Sequence, residues 1–471
     1  MVNSNIIPGF SGVFQVIGSR FKTCISRSLF FFLIFCPLFV FGNQFASENG
    51  TIASGTLDLK TAVKLALELT PEIREAEHLL NSAKSKITQA RSERFPKIST
   101  SLQYLEREFT MGSLGLGEFG FPRGGGSSLS SIQYNDGVNI SYSFQTGGRA
   151  RIAVRAAETN LESAQTEKKL AQESIIVRVV SAYLDHLRAL ELLKSAEENE
   201  DAIRKHHENT VSRVLAGIAV KTDRIKTEVR LEEASETTLK ARNSVKTTHT
   251  WLNLSMGIPI QENSFQLSQV SIPFMESNFD VLKESMVKNN VELKSLKQQL
   301  LLAKQNVQYE KAGRSPSLDF SYQNGRNGKD YPPRDRVWSL TGAMNLMVFD
   351  GGLIHGRVGE ASHKVRAIEA SYDGMKRALE AALETAFLDL QNARKRVEIT
   401  RKSLELASEE VRLSKFQYEA GVITISDLLD NQADFTRVQV GAISALFDTY
   451  LSQIRLLRIA GMIDSDFVRK L

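Results

Sequence analysis

Beyond its first 42 residues this chain has no cysteine. Cys24 and Cys36 are the only two among 471 residues, and both precede Gly42. The remainder therefore relies on neither disulfides nor thiolate-bound metal. It also has no apolar stretch of the ~18 residues that a membrane-spanning helix requires. Any passage through a membrane must then be a closed β-barrel, because lipid offers no partner for an open backbone. Charge bias is missing too. Lys+Arg total 59 against 54 Asp+Glu, but Arg20, Lys22 and Arg27 lie before Gly42, leaving 56 against 54. That balance excludes the basic footprint of a nucleic-acid binder. Catalytic signatures are likewise absent, with no Walker A, GxSxG or HExxH sequence. His206-His207-Glu208 lies in a charged stretch that reads as solvated surface rather than a metal site. Gly124-Gly125-Gly126 lacks the strand–helix setting of a phosphate loop. No catalytic residue, metal or cofactor is expected.

What is present begins with an export signal. The three basic residues precede an apolar run from Leu29 to Phe41, followed by Gly42, Asn43 and Gln44. That order predicts a signal peptide over residues 1–42. The 13-residue run is short for a membrane anchor, the competing reading, and Pro37 interrupts it. Phe35 before Cys36 speaks against lipidation.

The exported part repeats itself. Thr70-Pro71-Glu72-Ile73 returns as Asn290-Val291-Glu292-Leu293, and Pro96 as Pro316, both 220 residues on. Gly147-Gly148 pairs with Gly351-Gly352, Ala216-Gly217 with Ala420-Gly421, Asp223 with Asp427 and Gly257 with Gly461, each 204 apart. The first copy thus carries 16 extra residues between Pro96 and Gly147, in the Gly/Ser-rich window Met111 to Ser128.

Each copy reads as helix, strand, strand, long helix, turn, helix. Thr70 is placed as an N-cap with Pro71 at the first helical position, and the helix is expected to end near Phe95. Alternation follows: Ile98, Thr100, Leu102 and Tyr104 oppose Ser99, Ser101 and Gln103, and Val138, Ile140, Tyr142 and Phe144 oppose Asn139, Ser141, Ser143 and Gln145. In the second copy Leu318, Phe320 and Tyr322 alternate with polar residues. A less regular strand spans Trp338 to Val348, with Gly342 on its apolar face. An apolar face backed by a small-polar face suits a barrel wall, although a half-buried soluble hairpin alternates in the same way. From Gly148 to Leu215 neither proline nor glycine follows the first residue, predicting a helix of ~100 Å. Its counterpart carries a heptad: Ala386, Ala393, Thr400, Ala407 and Ser414 at one position, Leu383, Leu390, Val397, Leu404, Val411 and Tyr418 at the other. The 3.5-residue period implies a left-handed coiled coil. The first copy keeps Ala182, Ala189 and Ala196 but sets His186, Glu200 and His207 at large positions, which would suit a water-facing wall.

Thr70-Pro71-Glu72-Ile73, Phe349-Asp350-Gly351-Gly352 and Tyr418-Glu419-Ala420-Gly421 running to Ile425-Ser426-Asp427-Leu428-Leu429-Asp430 together resemble the TolC-type outer-membrane efflux protein family. The resemblance spans about residues 57–461. It implies a mainly α fold with a membrane β-barrel contribution, built from two tandem repeats. Three protomers would share a 12-stranded barrel above an α-helical coiled-coil tunnel in the periplasm. The implied organisation is a first repeat at 43–260, with strands about 97–109 and 134–146 and a long helix about 148–215. An equatorial linker at 261–280 leads to a second repeat at 281–471, with strands about 316–324 and 336–349, a long helix about 352–418 and a short C-terminal tail.

The implied function is the exit duct of a tripartite efflux or type I secretion system in the outer membrane. Its partners would be two further copies, outer-membrane lipid, a periplasmic adaptor (membrane fusion) protein and an inner-membrane pump of RND or ABC type. Gly217 and Gly421 would turn the chain at the periplasmic tip. Asp427 and Asp430, three apart on one helical face, would ring the narrowest point, and Asp223 with Tyr418 would hold the tip shut. Residue chemistry alone favours ordinary carboxylates at a helix N-terminus, and it is the resemblance that reverses this. Where the family's second link has an arginine, this chain has Ile423, leaving closure to Lys221, Arg224 or Lys226. A periplasmic coiled-coil scaffold or adaptor is the rival reading, with a trimeric adhesin less consistent because a long passenger is missing.

Overall fold

The computed structural model describes residues 56–110, 128–259, 265–268, 278–463 and 467. The expected signal at 1–42, the loop 111–127 and most of the 261–280 linker lie outside them. The first copy comprises β1 (Thr56–Leu57), α1 (Leu59–Leu69), α2 (Pro71–Ser92), β2 (Lys97–Thr110), β3 (Ser128–Gln145), α3 (Arg149–Leu215) and α4 (Lys221–Met256). After β4 (Gln266–Leu267), the second comprises α5 (Phe279–Asn289), α6 (Val291–Lys311), β5 (Ser317–Gly328), β6 (Asp335–Asn345), α7 (Leu353–Glu419) and α8 (Ile425–Ile459). Sequence reading missed α1 and α5, although Leu59, Ala62, Val63 and Ala66 have helical spacing and are all buried.

Thr70 stands at the N-cap position of α2, with Pro71 following, but its side chain makes no capping bond there. Its hydroxyl donates to the Ala66 carbonyl at 2.6 Å, closing α1 instead. One residue separates the two helices, so the orphan carbonyls of α1 compete for that side chain. At the equivalent point of the second copy the Asn290 side chain caps α6 and ties it to the end of α8. Its Oδ1 accepts from the Glu292 and Leu293 amides at 3.0 and 3.1 Å, and its Nδ2 donates to the Ile459 carbonyl at 3.1 Å. α2 stops at Ser92, three residues short of Phe95.

Strands β2, β3, β5 and β6 form one antiparallel sheet in that order. β3 begins at Ser128 because all of β2 pairs with it, from Lys97 opposite Ser141 to Thr110 opposite Ser128. β5 continues to Gly328 on the template of β3, and β6 ends at Asn345 rather than 349. Residues directly opposite share a face. One face stacks Ile98, Ile140, Tyr322 and Leu340 in one row, with Tyr142 and Phe320 in the next and Phe144, Leu318 and Met344 beyond. Gly342 is no irregularity: a side chain there would stand 3.7 Å from the ring of Phe320, which covers it. The other face is polar, with Ser321 donating to Asn139 at 3.2 Å and Asn345 to Asp319 at 2.8 Å.

α3 and α7 leave the sheet as 67-residue helices of ~100 Å. Each starts at a left-handed glycine, Gly148 (φ 73°) or Gly352 (φ 92°), a conformation that disfavours any side chain. Asp350 explains the motif before α7: its carboxylate accepts from the Ile354 and Gly352 amides, which holds it below the usual carboxylate range. α3 packs with α4, and α7 with α8, as antiparallel pairs. Along α7, Leu383, Ala386, Leu390, Ala407 and Ser414 are buried in the seam.

Of the polar positions of α3, His186 is buried, and Glu200 and His207 are half-buried. His186 is 3% exposed, with Nδ1 2.9 Å from the Thr248 hydroxyl of α4, and His207 makes the same contact with Thr227. Glu200 pairs with Arg204. His206, read as solvated, is also buried, and burial pushes its pKa down. Hydroxyl-bearing residues of α4 receive the imidazoles of His186 and His207, and that pairing across a hairpin is invisible to a heptad count.

Candidate functional site

The ends of α3 and α7 lie a helix length from the sheet, and there two turns reverse the chain. Both are built alike. Gly217 (φ 75°) donates to the Val214 carbonyl, and Ile218 to Arg213 at 2.9 Å; Gly421 (φ 74°) donates to Tyr418, and Val422 to Gln417 at 2.8 Å. These are Schellman ends, in which a left-handed glycine lets the next two amides bond the last free carbonyls. The apolar residues around them find no cover within the protomer. Leu215, Ile218, Val220 and Val422 are 62–84% exposed.

Asp427 stands in the first turn of α8. Its Oδ2 accepts from the amide (2.9 Å) and the hydroxyl (2.7 Å) of Thr424, while the Asp427 amide bonds the Thr424 oxygen. This capping box holds the Asp427 carboxyl below the ordinary range, chiefly through the Thr424 hydroxyl, so it stays ionised. Asp430 follows one turn later, exposed, 3.5 Å from Arg230 of α4. Asp434 continues the same exposed face and bonds Arg437 at 2.8 Å. Asp223 lies in the first turn of α4 after Val220, which has no hydroxyl to complete a box.

Asp223 and Tyr418 share no hydrogen bond among the described residues. The Tyr418 ring instead packs with Ile423 onto Ile425, Leu428 and Leu429, and the guanidinium of Arg213 lies 4.8 Å from its centroid. Of the cations suggested near Ile423, Lys226 reaches across, donating to Ser426 at 3.0 Å; Arg224 pairs with Glu228 on its own helix. Arg230 forms the second tie between α4 and α8, gripping Glu233 at 3.0 Å as well as Asp430. Sequence reading missed Arg213, Arg230 and Asp434. The i, i+3, i+7 spacing of Asp427, Asp430 and Asp434 was available to it. Arg230 and Asp430, 200 residues apart, were not connected by any local pattern. No His, Cys, Asp or Glu group among the described residues is arranged to hold a metal ion.

Comparison with known proteins agrees with this architecture. The family model described as outer membrane efflux protein matches residues 62–257 and 282–462. CyaE of Bordetella pertussis is 24% identical over 80% of this chain and 78% of its own length. The outer membrane protein TolC of Escherichia coli is 18% identical over 84% of this chain and 80% of its length. Among solved structures, the Campylobacter jejuni CmeC outer membrane channel superposes with a TM-score of 0.74 at 15% identity, covering 88% of this chain and 89% of that one. The Neisseria gonorrhoeae MtrE outer membrane channel gives 0.70 at 19% identity, covering 86% and 89%. With both copies matched across most of its length, this chain belongs to the outer membrane efflux protein family, a family of outer-membrane transport ducts and not of enzymes.

Proposed function

We propose that three copies of this chain close one twelve-stranded barrel and one helical tunnel, forming the passive exit duct of a tripartite efflux or type I secretion system. The carrying observation is the four-stranded sheet, apolar on one face, with both long edges, β2 and β6, unpaired among the described residues. Open edges are untenable in lipid, and further copies remove them. A periplasmic scaffold would have no use for such a face.

The exposed apolar tip supports docking of a periplasmic adaptor, with energy supplied by an inner-membrane pump of RND or ABC type. Relatives include the alkaline protease secretion protein AprF of Pseudomonas aeruginosa, 21% identical over 62% of this chain. That name favours a polypeptide cargo, and the structural likeness to efflux channels leaves small molecules as the alternative.

Closure in this reading rests on the tip. Asp427 and Asp430 from three protomers form a negative constriction, extended by Asp434, which favours cations. In place of an Asp223–Tyr418 bond, the latch is the trio Arg213–Tyr418, Lys226–Ser426 and Arg230–Asp430. Adaptor binding would favour the arrangement in which these contacts part, a two-state shift set by differential affinity. The test is mass by light scattering of detergent-solubilised protein, followed by conductance in planar bilayers. A trimer with small cation-selective conductance is expected; a monomer without conductance overturns the duct.

A further inference from the structure

We propose that the lipid-facing side of the sheet, at the end remote from the helices, binds phosphate groups of outer-leaflet lipid headgroups through Arg336 and Arg334. The proposal rests on the duct reading, which places that end at the outer leaflet.

The apolar face changes character along the strands. A mixed row holds Thr100, Val138, Asn324 and Trp338, one from each strand. The next row on the same face holds Leu102, Asp136, Arg326 and Arg336. Two arginines therefore stand directly opposite each other across β5 and β6, an arrangement that like-charge repulsion disfavours. The row has one carboxylate, and it is committed: Asp136 receives Arg326 through both oxygens, at 3.2 and 2.6 Å. Arg336 is exposed and has no hydrogen bond or ion pair among the described residues, and the same holds for Lys329 and Arg334 in the following turn. On the opposite edge strand Glu106 is occupied as well, accepting from the Tyr104 hydroxyl at 2.7 Å.

Tyrosines mark the same level. Tyr104, Tyr134 and Tyr331 follow one another with centroids 5.2 and 5.7 Å apart. Aromatic girdles of this kind sit where a barrel meets the headgroups. At that height the unpaired guanidinium faces the headgroups, and an anion supplied by the lipid completes the row. A phosphate monoester presents several oxygens to the planar fork of arginine, which binds it in two places at once. Charge complementarity thus selects a phosphorylated headgroup over a neutral one.

Native mass spectrometry of the detergent-purified protein, incubated with diphosphoryl lipid A or with its dephosphorylated form, tests this. The phosphorylated lipid is expected to remain bound to the trimer and the dephosphorylated one to be lost. Arg334→Ser with Arg336→Ser should reduce retention at least about tenfold while the trimer mass persists. Arg336→Lys keeps the charge without the fork and should fall between. Equal retention of the two lipids, or unchanged retention in the double variant, overturns the proposal. Displacement of bound lipid by neutral detergent while inorganic phosphate alone stays bound overturns it also. Failure of the unaltered protein to form a trimer would instead remove the duct reading beneath it.

Discussion

α3 and α7 are repeat-related helices of identical length, yet α3 buries eighteen residues and α7 seven. The difference lies in their neighbours. α3 touches α1, α2, α4, α6 and α8, whereas α7 has α5, α6 and α8. At the start of α3 a side chain on Gly147 would meet the Ala312 carbonyl at 2.5 Å, so the first copy is seated hard against the α6–β5 corner of the second. The matching Gly351 has open space around it, and the corner that would fill it, around Phe95, is itself exposed. The corner contact that joins first copy to second within the protomer therefore has no counterpart between second copy and first among the described residues. A head-to-tail ring supplies it from the next subunit. Exposed Ile399, Leu406 and Phe416 on α7, and Ile225, Val229 and Leu239 on α4, are the surfaces such a ring would cover.

Breaking the comparison outright calls for Ile399→Asp with Leu406→Asp. Their counterparts in α3 are Ser195, bonded to Gln439 of α8 at 2.8 Å, and Ala202. The double variant is expected to abolish the trimer in light scattering while helix content by circular dichroism is kept. A persisting trimer would mean that this face of α7 borders water.

A second test uses the position that is His186 in α3 and Leu390 in α7. Burial, aided by nearby His249, lowers the His186 pKa from 6.5 to about 4. The unfolded chain takes up this proton below pH ~6.5 and the folded one only near pH ~4, so stability is full above that window and declines as pH falls through it. The loss is up to roughly 3 kcal/mol. His186→Leu, copying the second repeat, should reduce the difference in melting temperature between about pH 7 and about pH 4.5, with buried His206 contributing to what remains. An unaltered difference would place the acid response elsewhere.

The smallest effect concerns the tip, where the copies differ in their caps. Arg230→Ala should raise single-channel open probability a few-fold, since exposed ion pairs contribute about 0–1 kcal/mol each and the trimer has three. Asp430→Ala should do the same, and the two together should add little. Full additivity would separate Arg230 from Asp430 in closing the duct.

Much of this was readable from residues. The repeat, the strand alternation and the α7 heptad follow from periodicity, and the glycine landmarks follow from left-handed backbone at Gly217, Gly257, Gly421 and Gly461. Three features were not. Thr70 turned back because two helices share it as a boundary, His186 was buried because Thr248 lies opposite, and Arg230 meets Asp430 only after both hairpins are packed. In each case the deciding partner comes from another element, and local pattern carries no record of it. Asp427 was legible as a helix-start carboxylate and, with Thr424, behaves as one.

The left-handed glycines also set a rule for insertions. Gly148 to Gly217 and Gly352 to Gly421 are both 69 residues, and Gly217 to Gly257 and Gly421 to Gly461 are both 40. The 16 residues by which the copies differ all fall between Pro96 and Gly147, on the barrel side. The outer loop can grow in one copy alone. A heptad inserted into α3 would displace its turn by ~10 Å relative to the other, so the tunnel can change length only if α3, α4, α7 and α8 change together.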